Sequence, residues 1–149
     1  MRRNHFVVSH VSFNMTHHNT RLLIVYNADG GIFNALAHAV HKAVRPETYP
    51  CSLCAITYGA VSMRRKWRAF LDGLRMEKVF HHRDDFAADY PDHDFTLPVI
   101  LIREFGEEPR VLVSSTELDQ IADVDELIEI VDEKLVVERL NGPKLRAVA

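Results

Sequence analysis

Apolar residues along the chain form two patterns, short continuous runs and stripes at helical spacing, and their alternation predicts the elements. Leu22-Leu23-Ile24-Val25-Tyr26 is a continuous run, as expected of a strand covered on both faces. Asn27-Ala28-Asp29-Gly30-Gly31 ends it, with Asp29 placed to cap a following helix. In that helix Ile32, Phe33, Leu36, Ala37, Val40 and Val44 share one arc, and Asn34, His38, His41 and Arg45 share the other. Pro46 and Pro50 bracket its end. A second amphipathic helix is predicted from about Val61 to Arg75. Met63, Trp67, Phe70, Leu71 and Leu74 point inward, and Arg64, Arg65, Lys66 and Arg68 point outward.

Lys78 to His82 reads as a strand, Asp84 to Tyr90 as a short helix stopped by Pro91, and Leu97 to Ile102 as a buried strand that opens with Pro98. Arg110 to Val113 is a fourth strand, after a turn at Gly106 to Pro109. Ser114 with Glu117, and Asp123 with Glu126, have the spacing of capping boxes. A last helix buries Val124, Leu127, Ile128, Val131 and Leu135. Strands separated by helical patterns indicate an α/β sheet. Residues 1–20 are polar and rich in His and Asn and read as a loose arm, with Val7, Val11 and Phe13 spaced for a short extra strand. Met15 is placed to act as a second start, and residues 141–149 read as a frayed tail. One domain is expected over 21–140.

Composition narrows the function classes. The chain has 149 residues, 47% apolar and 26% charged, which suits one globular domain. A net charge of -3 gives no whole-molecule attraction to nucleic acid or an anionic membrane. No apolar run approaches the ~18 residues of a membrane span, and polar residues interrupt the N-terminal apolar positions that a signal peptide would need. The expectation is a cytoplasmic protein in which the two cysteines are not permanently bonded.

The run Val79 to Ile102, with Asp84-Asp85, Tyr90 and then Thr96-Leu97-Pro98-Val99-Ile100, resembles the second half of thioredoxin-like domains. In those an acidic strand end and a short helix lead to a cis-proline and the third strand. Residues 22–45 resemble the first βα unit, and the resemblance covers roughly 22–138. It implies a central mixed four-stranded sheet flanked by helices. Tyr26 to Leu36, and Tyr49-Pro50-Cys51-Ser52-Leu53-Cys54, also resemble a group of small uncharacterised bacterial proteins. Some of these carry a GTPase label, but this chain has no Gly-x-x-x-x-Gly-Lys-Ser/Thr loop to cradle phosphates.

The departure from the thioredoxin pattern lies in the cysteines. Such enzymes place Cys-x-x-Cys directly after the first strand, where this chain has Asn27 to Gly31. Cys51 and Cys54 follow the first predicted helix instead, in a stretch (46–76) that reads as an inserted loop and helix. A straight helix of ~14 residues would set its far end roughly 20 Å from the cis-proline end of the sheet. The five residues from Pro46 to Pro50 span at most ~17 Å. Cys51 is therefore expected away from Pro98.

Cys51 and Cys54 have the spacing to chelate one ion, and His38 and His41 sit in the half of the first helix nearest to them. His-x2-His-x9-Cys-x2-Cys would supply four ligands of the type zinc prefers. The leading expectation is a zinc-like thiophilic ion on Cys51, Cys54 and His41, with His38 fourth. The alternatives are thiol–disulfide exchange or redox sensing by the same cysteines, a structural role for buried thiols, and a protein-interaction module using the basic face Arg64, Arg65, Lys66 and Arg68. His81 and His82 beside Asp84 and Asp85 form a further titratable group. No nucleophile–base–acid arrangement of the hydrolase type is evident. The metal reading predicts about one zinc per chain by elemental analysis, lost in Cys51→Ser or Cys54→Ser. Metal-free protein from a purification without chelators would overturn it.

Overall fold

The computed structural model describes residues 20–30, 51–59 and 62–141. In chain order the elements are β1 (Thr20–Val25), α1 (Ser52–Thr57), α2 (Arg65–Gly73), β2 (Glu77–His81), α3 (Arg83–Asp89), β3 (Val99–Glu104), β4 (Arg110–Val113), α4 (Ser115–Leu118) and α5 (Val124–Leu140). The four strands form one sheet in the order β2-β1-β3-β4. β1 runs parallel to β2 and antiparallel to β3, and β4 is antiparallel to β3. The architecture is thus α/β, with a mixed four-stranded sheet flanked by helices.

The continuous apolar run of β1 follows from its central position. Leu22, Ile24 and Tyr26 face one side, and Leu23 and Val25 the other, all buried. On the first face they meet Ile100 and Ile102 of β3, with α1, α2 and α5 packed over them. Trp67 anchors α2 there, fully buried and stacked on Phe70 with ring centroids 5.7 Å apart. Leu127, Val131 and Leu135 form the matching stripe of α5, four residues apart on one helix face. On the second face Leu23, Val25, Val99 and Leu101 meet Phe86 of α3, with Tyr90 and Phe95 beside it.

Several boundaries shift from the sequence expectation. The second amphipathic helix begins at Arg65 rather than near residue 61, because Met63 pairs with Tyr58 in an isolated antiparallel bridge. Residues 51–59 and 62–76 contribute Leu53, Ile56, Trp67 and Leu71 to the main core. Ser52 to Thr57, where no periodic pattern predicts an element, form the six-residue helix α1. Of the arm expected over residues 1–20, Thr20 opens β1; residues 1–19, the first predicted helix from residue 31 on and the tail beyond Asn141 lie outside the described residues.

The caps are specific. Ser114 Oγ accepts from the Glu117 N–H, and the Glu117 carboxylate accepts from the Ser114 N–H, a complete capping box on α4. Asp123 caps α5 through the Asp125 and Glu126 N–H groups. The return bond of the second expected box goes elsewhere, since Glu126 accepts from Ala122. In the β3–β4 turn Gly106 adopts φ +80°, where a side chain would be strained.

Glu117 has a further role. Hydrogen bonds from Lys134 on α5, and from Ser114, hold its carboxyl down to about 2. A carboxyl depressed in the fold contributes stability that is full above its unfolded pKa and lost as the pH falls through the folded value. The denaturant midpoint should therefore decline between about pH 4.5 and about pH 2, and Glu117→Gln should flatten part of that decline. Identical acid profiles for the two proteins in urea titrations would refute this coupling.

Candidate functional site

β1 ends at Val25, and the chain continues along β2 for one more bond, the Tyr26 N–H donating to the His81 carbonyl at 2.9 Å. The next amide does something different. Asn27 N–H donates to the sulfur of Cys51 at 3.3 Å. Cys51 is extended (φ -130°, ψ 98°) and is the N-cap of α1, its Sγ accepting from the Cys54 N–H at 3.2 Å as a Ser or Asp oxygen would. Cys51 and Cys54 are joined by a disulfide, with Cα atoms 5.2 Å apart. Both are buried, at 0% and 2% exposure.

This corrects the expected position of the pair. The expectation set the far end of a straight first helix roughly 20 Å from Pro98 and let the five residues from Pro46 to Pro50 recover at most ~17 Å of it. The Asn27–Cys51 hydrogen bond brings the chain back to the carboxyl end of β1 instead. The Leu97–Pro98 peptide is cis, and it precedes Val99, the register partner of Val25. The disulfide and the cis-proline therefore lie at the same end of the sheet. Ser115 Oγ donates to the Leu97 carbonyl at 3.3 Å and ties this entry to α4.

Two tyrosines flank α1. The rings of Tyr26 and Tyr58 meet edge to face at 5.8 Å. Burial pushes the Tyr26 hydroxyl far above its ordinary value, and the neighbouring Tyr58 adds to the shift. Burial likewise raises Tyr58. Thr57, also buried, turns its hydroxyl back to the Leu53 carbonyl at 2.7 Å.

The loop after β1 is held from the opposite side by α3. Arg83 binds Asp29 through two bonds of 3.0 and 2.8 Å, and its N–H donates to the Ala28 carbonyl at 3.0 Å. The guanidinium holds the Asp29 carboxyl below the usual carboxylate range. The Gly30 N–H donates to Asp84 at 3.1 Å, and the helix that Asp29 is expected to cap lies, from residue 31 on, outside the described residues.

Of the sequence-selected ligands, the structure brings Cys51 and Cys54 together and bonds them to each other. His38 and His41 lie outside the described residues. Among the described residues no three His, Cys, Asp or Glu side chains stand together as a metal site. On the basic face Arg64, Arg65 and Arg68 are exposed, while Lys66 binds Asp125 at 2.8 Å. His81 and His82 separate: His81 is buried against Asp89 at 3.1 Å, and His82 meets Asp85 at 3.1 Å. That contact holds the Asp85 carboxyl below its ordinary value. Sequence reasoning missed the Asn27 amide, Tyr26 and Tyr58 as parts of the site. Tyr26 carried only an apolar-strand signal, Tyr58 had no element assigned to it, and a backbone amide carries no signal.

No helix among the described residues is long and apolar enough to cross a membrane. No protein-family model, curated protein or solved structure matches the chain.

The raised Tyr26 hydroxyl has a measurable sign. The fold favours its neutral form, so the contribution to stability is full below the ordinary value of 10.0 and is lost as the pH rises beyond it. Tyr26→Phe should flatten the alkaline loss of stability and leave the amplitude of the folded protein's tyrosinate absorbance step unchanged. A smaller step in the variant, while it remains folded, would show that Tyr26 ionises with the others.

Proposed function

We propose that this chain is a thioredoxin-fold thiol–disulfide exchange protein whose redox pair is Cys51 and Cys54. The observation that carries the reading is the Asn27 N–H to Cys51 Sγ bond, because it sets the disulfide at the carboxyl end of the central strand. The strand order, the direction of each pairing and the cis-proline at the entry to β3 all agree with the thioredoxin pattern. On this reading the segment between Gly30 and Cys51 extends the connection from β1 to the Cys-x-x-Cys without displacing the pair.

A purely structural disulfide is the duller reading, and loop length argues against it. Closing a ring of only four residues restricts the unfolded chain little, about 2 kcal/mol in the chain-entropy model. Reversible chemistry gives the pair a stronger reason to exist. When the bond is open, the Asn27 and Cys54 N–H groups favour the thiolate of Cys51 over its thiol. In the reducing direction the Cys51 thiolate attacks a substrate disulfide. One substrate sulfur leaves as thiolate and a mixed disulfide forms. The Cys54 thiolate then attacks Cys51 Sγ, releases the second substrate sulfur as thiolate and restores the internal bond. Since both sulfurs are buried, the first turn of α1 must swing away from Asn27 for a partner to reach them.

The same thiolates would be the ligands of a zinc-like ion with His41 and His38, so the test must separate the two readings. Wild-type protein should equilibrate one disulfide per chain with a glutathione or dithiothreitol couple. Cys51→Ser should abolish exchange, and Cys54→Ser should accumulate a mixed disulfide through Cys51. Thiols that fail to equilibrate overturn the proposal. Stoichiometric zinc in the reduced protein, with no exchange activity, would transfer the pair to metal binding.

A further inference from the structure

α2 opens on a run of cations, Arg64-Arg65-Lys66-Trp67-Arg68. We propose that this face docks an acidic segment of the disulfide-bearing protein on which Cys51 and Cys54 act. The inference rests on the exchange reading above and names the class of its substrate.

Arg68 lies one turn on from Arg64 and Arg65, so the three arginines share one side of the helix. Trp67 points the other way, is fully buried and fixes α2 to the core. Lys66 is taken by Asp125 of α5 at 2.8 Å. The guanidinium groups of Arg64, Arg65 and Arg68 make no hydrogen bond or ion pair with any described residue, and all three residues are exposed. Like charges at that spacing weaken a helix. Cations in a first turn also oppose the helix dipole, and α2 has neither an acidic residue in that turn nor a side-chain cap. Carboxylates from a partner would relieve both conflicts.

This face adjoins the disulfide. The Arg64 N–H donates to the Thr57 carbonyl at 2.8 Å, and Tyr58 pairs with Met63, so the start of α2 is fastened to the end of α1. Burial raises the Tyr58 hydroxyl, while its hydrogen bond with Tyr26 and the charge of Arg68 draw it back. On α1, Leu53, Cys54, Ile56 and Thr57 are buried, whereas Ser52, Ala55 and Tyr58 are partly exposed. These last three recur every third residue and form one stripe from the disulfide toward Arg68. The stripe is roughly 9 Å long, which an extended chain covers in about three residues. A substrate cysteine at the pair therefore brings side chains about three to five positions away over the arginines. Trp67 keeps α2 in place while the first turn of α1 swings, so a docked partner stays beside the sulfurs as they open, at a raised effective concentration.

The patch suits a short acidic segment rather than a nucleic acid. Asp72 on α2 and Asp125 on α5 are exposed beside it, and the whole chain carries a net charge of -3. A long polyanion would meet those charges as well as the arginines.

The test uses the reduced full chain and synthetic peptides whose one cysteine carries a 2-thiopyridyl disulfide. A Ser-Gly-Ser spacer separates the cysteine from three Glu; the control peptides carry three Gln or three Lys instead. The Cys51 thiolate attacks the peptide sulfur and expels pyridine-2-thione. Cys54 then displaces the peptide thiolate, so the chain is oxidised and the peptide disulfide reduced. Each rate is divided by that of dithiothreitol with the same peptide, which removes the effect of peptide charge on its own reactivity. The Glu peptide should react about tenfold faster than the Gln peptide at low salt and lose that lead at about 1 M salt. The double variant Arg64→Gln/Arg68→Gln should lose the lead, and Arg64→Lys/Arg68→Lys should retain most of it. A Glu peptide with serine in place of cysteine should shift the amides of Arg64 to Arg68 saturably in NMR titrations. Equal normalised rates for the Glu and Gln peptides in the wild type would overturn the docking proposal and leave the exchange reading standing. No exchange with any peptide or with glutathione would overturn the exchange reading and this substrate with it. Tighter binding of a single-stranded oligonucleotide than of the Glu peptide at those amides would overturn the assignment to an acidic protein segment.

Discussion

β1 has hydrogen-bonded strands on both edges and buried side chains on both faces, and the other elements take their positions from it. Its parallel partner β2 sets where α3 starts, and its antiparallel partner β3 sets where the cis-proline lies. Its two faces have different fates. Leu22, Ile24 and Tyr26 are covered by the helical layer, whereas Leu23 and Val25 share their face with Arg21 and its register partner Arg103. A strand so enclosed cannot shift register by one residue without exchanging these two sets of side chains. The register of Arg21 against Arg103 and the placement of Asn27 are therefore fixed together.

The end of β1 is where this rigidity meets chemistry. The Tyr26 amide is the last to serve the sheet, and the Asn27 amide turns to sulfur. Arg83 and Asp84 clamp the loop from α3, so the donor aimed at Cys51 is itself held in place. Asn27 and Cys51, 24 residues apart in sequence, thus meet at one strand terminus. Pair separation along the sequence then says little about separation in space.

That point marks the boundary of what was legible in the sequence. β1 and β3 were legible because buried strands write continuous apolar runs, β2 and β4 through the shorter runs Val79-Phe80 and Val111-Leu112-Val113, and α2 and α5 because Trp67, Leu71, Leu127 and Val131 repeat at helical spacing. The Ser114–Glu117 box was legible because both partners of a cap are local. α1 escaped because six residues hold less than two helical turns of pattern, and because a disulfide sulfur is not among the usual capping groups. The location of Cys51 escaped because it rests on one bond between residues 24 apart, which leaves no periodic trace. The pairing of Arg21 with Arg103 likewise depends on register between β1 and β3, and neither residue stands out in its own segment.

The smallness of the Cys51–Cys54 ring has a consequence of its own. A ring of four residues restricts the unfolded chain only locally, so its effect there is that of the same ring in a short peptide. In a thermodynamic box linking folding to electron transfer, the unfolded edge then resembles an ordinary peptide dithiol. Any departure of the folded protein's electron affinity from that reference must come from what the fold does to the two sulfurs. In the disulfide form the amides of Asn27 and Cys54 both donate to the sulfur of Cys51, and such donors bind a charged sulfur more strongly than a neutral one. The difference in folding energy between the oxidised and reduced chain and the folded protein's electron affinity, relative to that reference, are therefore one quantity.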